Sequence, residues 1–106
     1  MTDLEYIAAS LSEEDILCQI AEEAAELAQA ALKLRRAITG TNPTPVTQEE
    51  AIDNLIEEYA DTIGAFWVLD AKSDGVLNVG ADIAEIICEK YVRKVKQLKE
   101  GKKHDN

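Results

Sequence analysis

The chain is short of the residues that interrupt or crosslink a fold. Five Gly and two Pro in 106 residues leave room for long, unbroken helices. Its two cysteines, Cys18 and Cys88, make no CxxC pair and each falls inside a helical pattern. They read as structural thiols of a reducing compartment, not as a disulfide or a redox pair. The single histidine, His104, stands in the last few residues. That argues against a zinc site built on His and against a carboxylate-bridged di-iron bundle, which takes Glu-x-x-His from facing helices. Positive charge is the scarce sign: 11 Lys and Arg face 21 Asp and Glu, a net charge of −10. Such a balance argues against a surface that neutralises nucleic-acid phosphates. A phosphate substrate screened by metal ions is still compatible with it. No stretch approaches the roughly 20 apolar residues of a membrane span. The start, Met1-Thr2-Asp3-Leu4-Glu5, has no basic run followed by an apolar one. A soluble, cytoplasmic protein is expected, with neither membrane nor nucleic acid as partner.

What is present is amphipathic helix. Charged residues make up 30% and apolar residues 46% of the chain, a globular composition, and the length suits one domain over 1–106. Strand alternation and internal repeats are absent. Thr2-Asp3-Leu4-Glu5 has the form of a capping box and opens a short helix to about Ser10. Ser12-Glu13-Glu14-Asp15 starts a second helix, expected to reach about Ile38. Thr39 to Val46, with Gly40, Pro43 and Pro45, reads as a loop. Thr47-Gln48-Glu49-Glu50 caps a third helix ending near Leu69 or Ala71. Lys72-Ser73-Asp74-Gly75 is a turn signal, and Val76 to Gly80 is irregular. A last helix runs from about Ala81 to Lys99, is stopped by Gly101, and leaves 100–106 as a frayed tail. The fold expected is all-α: an antiparallel bundle of three long helices plus a short N-terminal one. Ile52, Ile56, Tyr59, Ile63 and Phe66 give the third helix a second apolar stripe. One short chain with so much apolar helix surface is expected to complete its bundle by dimerisation, as a homodimer or a homotetramer built as a dimer of dimers.

Two acidic pairs break the apolar pattern. Ile16, Ile20, Glu23, Leu27, Ala30 and Leu34 recur at helical spacing, so Glu23 sits inside the stripe. Glu26 lies about 60° from its centre. In the third helix Ala51, Leu55, Glu58, Thr62, Ala65 and Leu69 form the same kind of seam, with Glu58 inside and Asp61 at its flank. A Glu-rich helix face is ordinarily solvated surface, and Glu13, Glu14, Glu22 and Glu57 fit that description. A carboxylate on a packing seam is costly unless paired or bound to a metal. Two such pairs on consecutive helices, which a loop can fold back on each other, point to a shared cation site formed by Glu23, Glu26, Glu58 and Asp61. An all-oxygen donor set suits Mg²⁺, Mn²⁺ or Ca²⁺. Mg²⁺ usually arrives with substrate phosphates, which directs attention to nucleotide phosphate chemistry. On the last helix Lys90, Arg93 and Lys94 share one side and are either a solvated basic face or donors to phosphate oxygens. Trp67, Phe66 and Tyr91 are candidates for a base pocket, although large aromatics at helical spacing more often fill a core.

Gln19-Ile20-Ala21-Glu22-Glu23-Ala24-Ala25-Glu26-Leu27 on one helix and Glu57-Glu58-Tyr59-Ala60-Asp61 on the next resemble the paired motifs of the MazG-like, all-alpha nucleoside triphosphate pyrophosphohydrolases. That group includes the dimeric dUTPases and the phosphoribosyl-ATP pyrophosphatases. Lys90-Tyr91-Val92-Arg93-Lys94 is similar to its basic motif, with Lys94 where a second Arg is usual. The likeness covers roughly 12–98. The stretch 27–57 between the acidic pairs is longer than the family commonly shows, and Gln19-Ile20-Ala21 replaces the Lys-x-Gly of the phosphoribosyl-ATP branch. The resemblance implies Mg²⁺, with Mn²⁺ as substitute, held by Glu23, Glu26, Glu58 and Asp61. It implies cleavage of a (d)NTP to the monophosphate and pyrophosphate, with Glu22 or Glu26 as proton acceptor and Lys90, Arg93 and Lys94 at the phosphates. The alternative is a non-catalytic helical module of the same fold that binds nucleotide or protein.

Overall fold

The computed structural model describes residues 1–41, 46–73 and 81–104. Four α-helices account for nearly all of them: α1 (Asp3–Ser10), α2 (Glu13–Thr39), α3 (Gln48–Lys72) and α4 (Ala81–His104). Among the described residues there is no strand, as the missing alternation requires. None of the described helices is long and apolar enough to cross a membrane. The chain divides into two compact units, Met1–Gly75 and Val76–Asn106.

Hydroxyl side chains start the first three helices, where the sequence places them. Thr2 Oγ1 accepts from the Glu5 N–H at 3.1 Å, Ser12 Oγ from Asp15 at 3.1 Å and Thr47 Oγ1 from Glu50 at 3.1 Å. Each satisfies one of the four amides that a helix start leaves without a partner. α2 ends at Gly40, whose φ of 72° lies in the left-handed region that only glycine adopts at little cost. The Thr41 N–H then returns to the Arg36 carbonyl at 3.1 Å. Of the expected loop, 42–45 lies outside the described residues, as do 74 and 75 of the expected turn and the irregular stretch 76–80.

In the first unit α3 packs against both α2 and α1. Ala8 of α1, Ile16 of α2 and Val68 of α3 form the buried cluster, with Leu11, Ile20, Leu69 and Ala71 packed around it. Ile16 is fully buried, the only large side chain among the described residues that is, and its burial stabilises by about 1.5–3 kcal/mol. Along α2 the partners on α3 run backwards: Ile16 meets Val68, and Glu23 meets Thr62. That is the pattern of two antiparallel helices. Away from the cluster the seam is made of small buried residues, Ala30, Ala51, Thr62 and Ala65. On the other side of α3, Ile52, Ile56 and Tyr59 are exposed, Tyr59 by 58%.

The second unit contains α4. It corrects one expectation: Gly101 does not stop the helix, which continues to His104. A glycine inside a helix costs only about 1 kcal/mol relative to alanine, and the flanking Lys and Glu are good helix formers. The rest of the expected tail, Asp105 and Asn106, lies outside the described residues.

Candidate metal centre

Three of the carboxylates singled out by their spacing come together. Glu23 and Glu26 on α2 and Glu58 on α3 each offer an oxygen, and these oxygens lie within 4.8 Å of one another. Neighbouring oxygens around a six-coordinate Mg²⁺ stand about 3 Å apart and opposite ones about 4 Å. The side chains need to close by at most about 2 Å to share such an ion. Glu23 and Glu58 are half-buried and Glu26 is exposed, so the cluster opens to solvent on the Glu26 side.

Two oxygens of this cluster are anomalous. Glu23 Oε2 and Glu58 Oε2 are buried and have no hydrogen-bond partner. A buried acceptor without a donor normally costs 1–3 kcal/mol, more when charged, and calls for an explanation. Both residues answer by holding their protons more tightly. Burial raises Glu23 above its ordinary 4.5, and the charges of Glu26 and Asp61, a hydrogen bond with Glu26 and the charge of Glu22 add to it. Burial also leads for Glu58, followed by a hydrogen bond with Glu26 and the charges of Glu26, Asp61 and Glu23. Every influence on these two groups has the same sign. A divalent cation would oppose all of them, because it would favour the charged form and supply the missing partner. Hard oxygen donors without nitrogen or sulfur are the set that Mg²⁺, Mn²⁺ and Ca²⁺ take.

Asp61 stands apart from the trio. It is exposed, and it acts on Glu23 and Glu58 through its charge. Its side chain is one methylene shorter than glutamate. Glu22, the other expected proton acceptor, is exposed on α2 and touches the site only through its charge on Glu23. Lys90, Arg93 and Lys94 stand exposed on α4, in the other unit.

A groove of about 410 Å³ adjoins the trio, and Glu23 and Asp61 line it. Its walls come from three helices: Leu4 and Ile7 of α1, Gln19 of α2, and Gly64 and Trp67 of α3. Trp67 is 57% exposed and shares the groove lining with Glu23 and Asp61, so its ring stands beside the acids rather than filling a core. Phe66 does not line the groove. The contribution of α1 escapes the spacing argument, because Leu4 and Ile7 carry no chemistry of their own. Thr62 escapes it for another reason: it reads as an ordinary seam position. In the structure its hydroxyl lies 2.8 Å from the Glu58 carbonyl and 3.2 Å from that of Glu23.

No family model, curated protein or solved structure matches the chain.

Proposed function

We propose that this chain is a divalent-cation-dependent nucleotide pyrophosphohydrolase, which cleaves a (d)NTP to the monophosphate and pyrophosphate. One observation carries the reading. Three carboxylates meet across two helices, and two of them have buried oxygens that no protein donor satisfies. The resemblance of the two acidic motifs to those of the MazG-like pyrophosphohydrolases supports it from the sequence side.

In this reading Glu23, Glu26, Glu58 and Asp61 would hold Mg²⁺, which would supply charge for the phosphate oxygens and lower the pKa of a water. The remaining work falls to the chain's own groups. Glu26, the exposed member of the trio, accepts the proton of the attacking water, with Glu22 as the neighbouring alternative. The resemblance assigns Lys90, Arg93 and Lys94 to the phosphate chain, where the fork of Arg93 suits two oxygens and Lys94 a single point of charge. The groove beside Trp67 receives the base. The exposed Ile52, Ile56 and Tyr59 face of α3 is covered by a second copy of the chain, giving a dimer.

The test is pyrophosphate release from a panel of canonical and damaged nucleoside triphosphates with Mg²⁺ or Mn²⁺. Release is expected for at least one nucleotide and is lost in EDTA. Glu58→Gln, which keeps the shape and removes the charge, should lower it by 100-fold or more, roughly 3 kcal/mol. Nucleotide binding with no release would instead support a sensor built on the same fold. No binding and no release would remove the reading.

A further inference from the structure

We infer that Thr62 is the positioning residue of the cation site: its hydroxyl ties together the two backbones that carry Glu23 and Glu58. The inference rests on the reading of the trio as a cation site and adds a residue that lies outside its ligand set.

Among the described residues Thr62 is the one polar residue buried in the seam between α2 and α3, at 8% exposed. A threonine hydroxyl carries one proton. Here it lies between two acceptors, the Glu58 carbonyl at 2.8 Å on its own helix and the Glu23 carbonyl at 3.2 Å on the facing helix. The first is the back-bond that threonine often makes within a helix. The second bridges 39 positions of the chain. Both carbonyls belong to the residues whose carboxylates have the buried, partnerless oxygens.

The seam explains why such a tie is needed. Helices find their register by interlocking ridges of side chains. Ala30, Ala51 and Ala65 form low ridges and resist sliding weakly. Two carboxylates that share an ion must be held to about half an ångström. A directional bond placed between their own carbonyls fixes their separation more tightly than alanine packing. The β-branched side chain adds stiffness, because it has few rotamers open to it in a helix.

The test compares Thr62→Val, which keeps the shape and removes the hydroxyl, with Thr62→Ser, which keeps the hydroxyl. The probe is Mn²⁺ alone, with the free ion counted by its electron paramagnetic resonance signal. Partners that orient metal ligands typically change affinity 10- to 100-fold. Thr62→Val is expected to raise the Mn²⁺ dissociation constant about tenfold or more, and Thr62→Ser to stay within about threefold of the wild type. Ile16→Val, a packing change at the buried cluster, is the control: it should lower the melting temperature and leave Mn²⁺ affinity unchanged. If Thr62→Val does not fold, Thr62→Ala makes the same comparison. Wild-type affinity in the hydroxyl-free variant would overturn the role of Thr62 and leave the cation site standing. Equal losses in Thr62→Val and Ile16→Val would also overturn it, by reducing the effect to packing. Absence of Mn²⁺ binding by the wild type would overturn both.

Discussion

Among the described residues, Glu23 and Glu58 are the two acids whose surroundings favour the protonated form. Burial first, then neighbouring carboxylates, raises both above 4.5. A carboxyl raised in the folded state binds its proton more tightly there than in the unfolded chain. Its contribution to stability is therefore complete below the unfolded value and is lost as pH climbs through 4.5 toward the folded value. In EDTA, the melting temperature of Glu23→Gln/Glu58→Gln should rise relative to wild type as pH increases from that range to neutrality. Differential scanning calorimetry reads this difference, which cancels the other carboxylates, and a difference that does not change with pH would contradict the assignment. Much at this level could be read before folding was considered. The spacing of Ile16, Ile20, Glu23 and Leu27 places Glu23 on the seam, and Glu58 follows in the same way on α3. Spacing gives direction and not reach, so it does not say how near the Asp61 carboxylate, exposed beside the trio, comes to the other three. The hydroxyl of Thr62 could not be seen either, since periodicity within one helix does not say which residue of another helix lies opposite.

The helices themselves follow local chemistry closely. Thr2, Ser12 and Thr47 each cap the helix that their flanking acids announce, and Gly40 closes α2 in the one conformation that favours glycine. α4 departs from the pattern at Gly101, where a stop signal without a left-handed residue or a following proline loses to the helix-forming lysines around it. α3 carries the consequence that reaches beyond one chain. Its seam side holds Ala51, Thr62, Ala65 and Val68, all buried, while Ile52, Ile56 and Tyr59 stay exposed. Three such side chains on one face are an apolar patch that water covers poorly and a second copy covers well. Sedimentation equilibrium should give at least twice the chain mass. Ile56→Glu, which puts a charge in the middle of the patch, should shift the population toward monomer by tenfold or more, about 1.4 kcal/mol. A monomeric wild type would contradict this use of α3.

Across the first unit, the few buried positions among the described residues align α2 with α3. Ile16 and Val68 anchor one end of the pair, and α1 adds Ala8 to the same cluster. The groove beside Trp67 starts at that anchor, where Val68 lines it, and the half-buried acids and the hydroxyl of Thr62 follow along the seam. The net charge of −10 makes a convergence of further negative groups unfavourable without a counterion. The claim at the centre of this account is that a hard divalent cation provides it. Crystals grown with Mn²⁺ and measured by anomalous diffraction test that claim most directly. The account predicts an anomalous peak about 2.2 Å from carboxylate oxygens of Glu23, Glu26 and Glu58, with no oxygen of Glu23 or Glu58 left without a partner. The same three side chains splayed apart into solvent, with no peak between them, would contradict it.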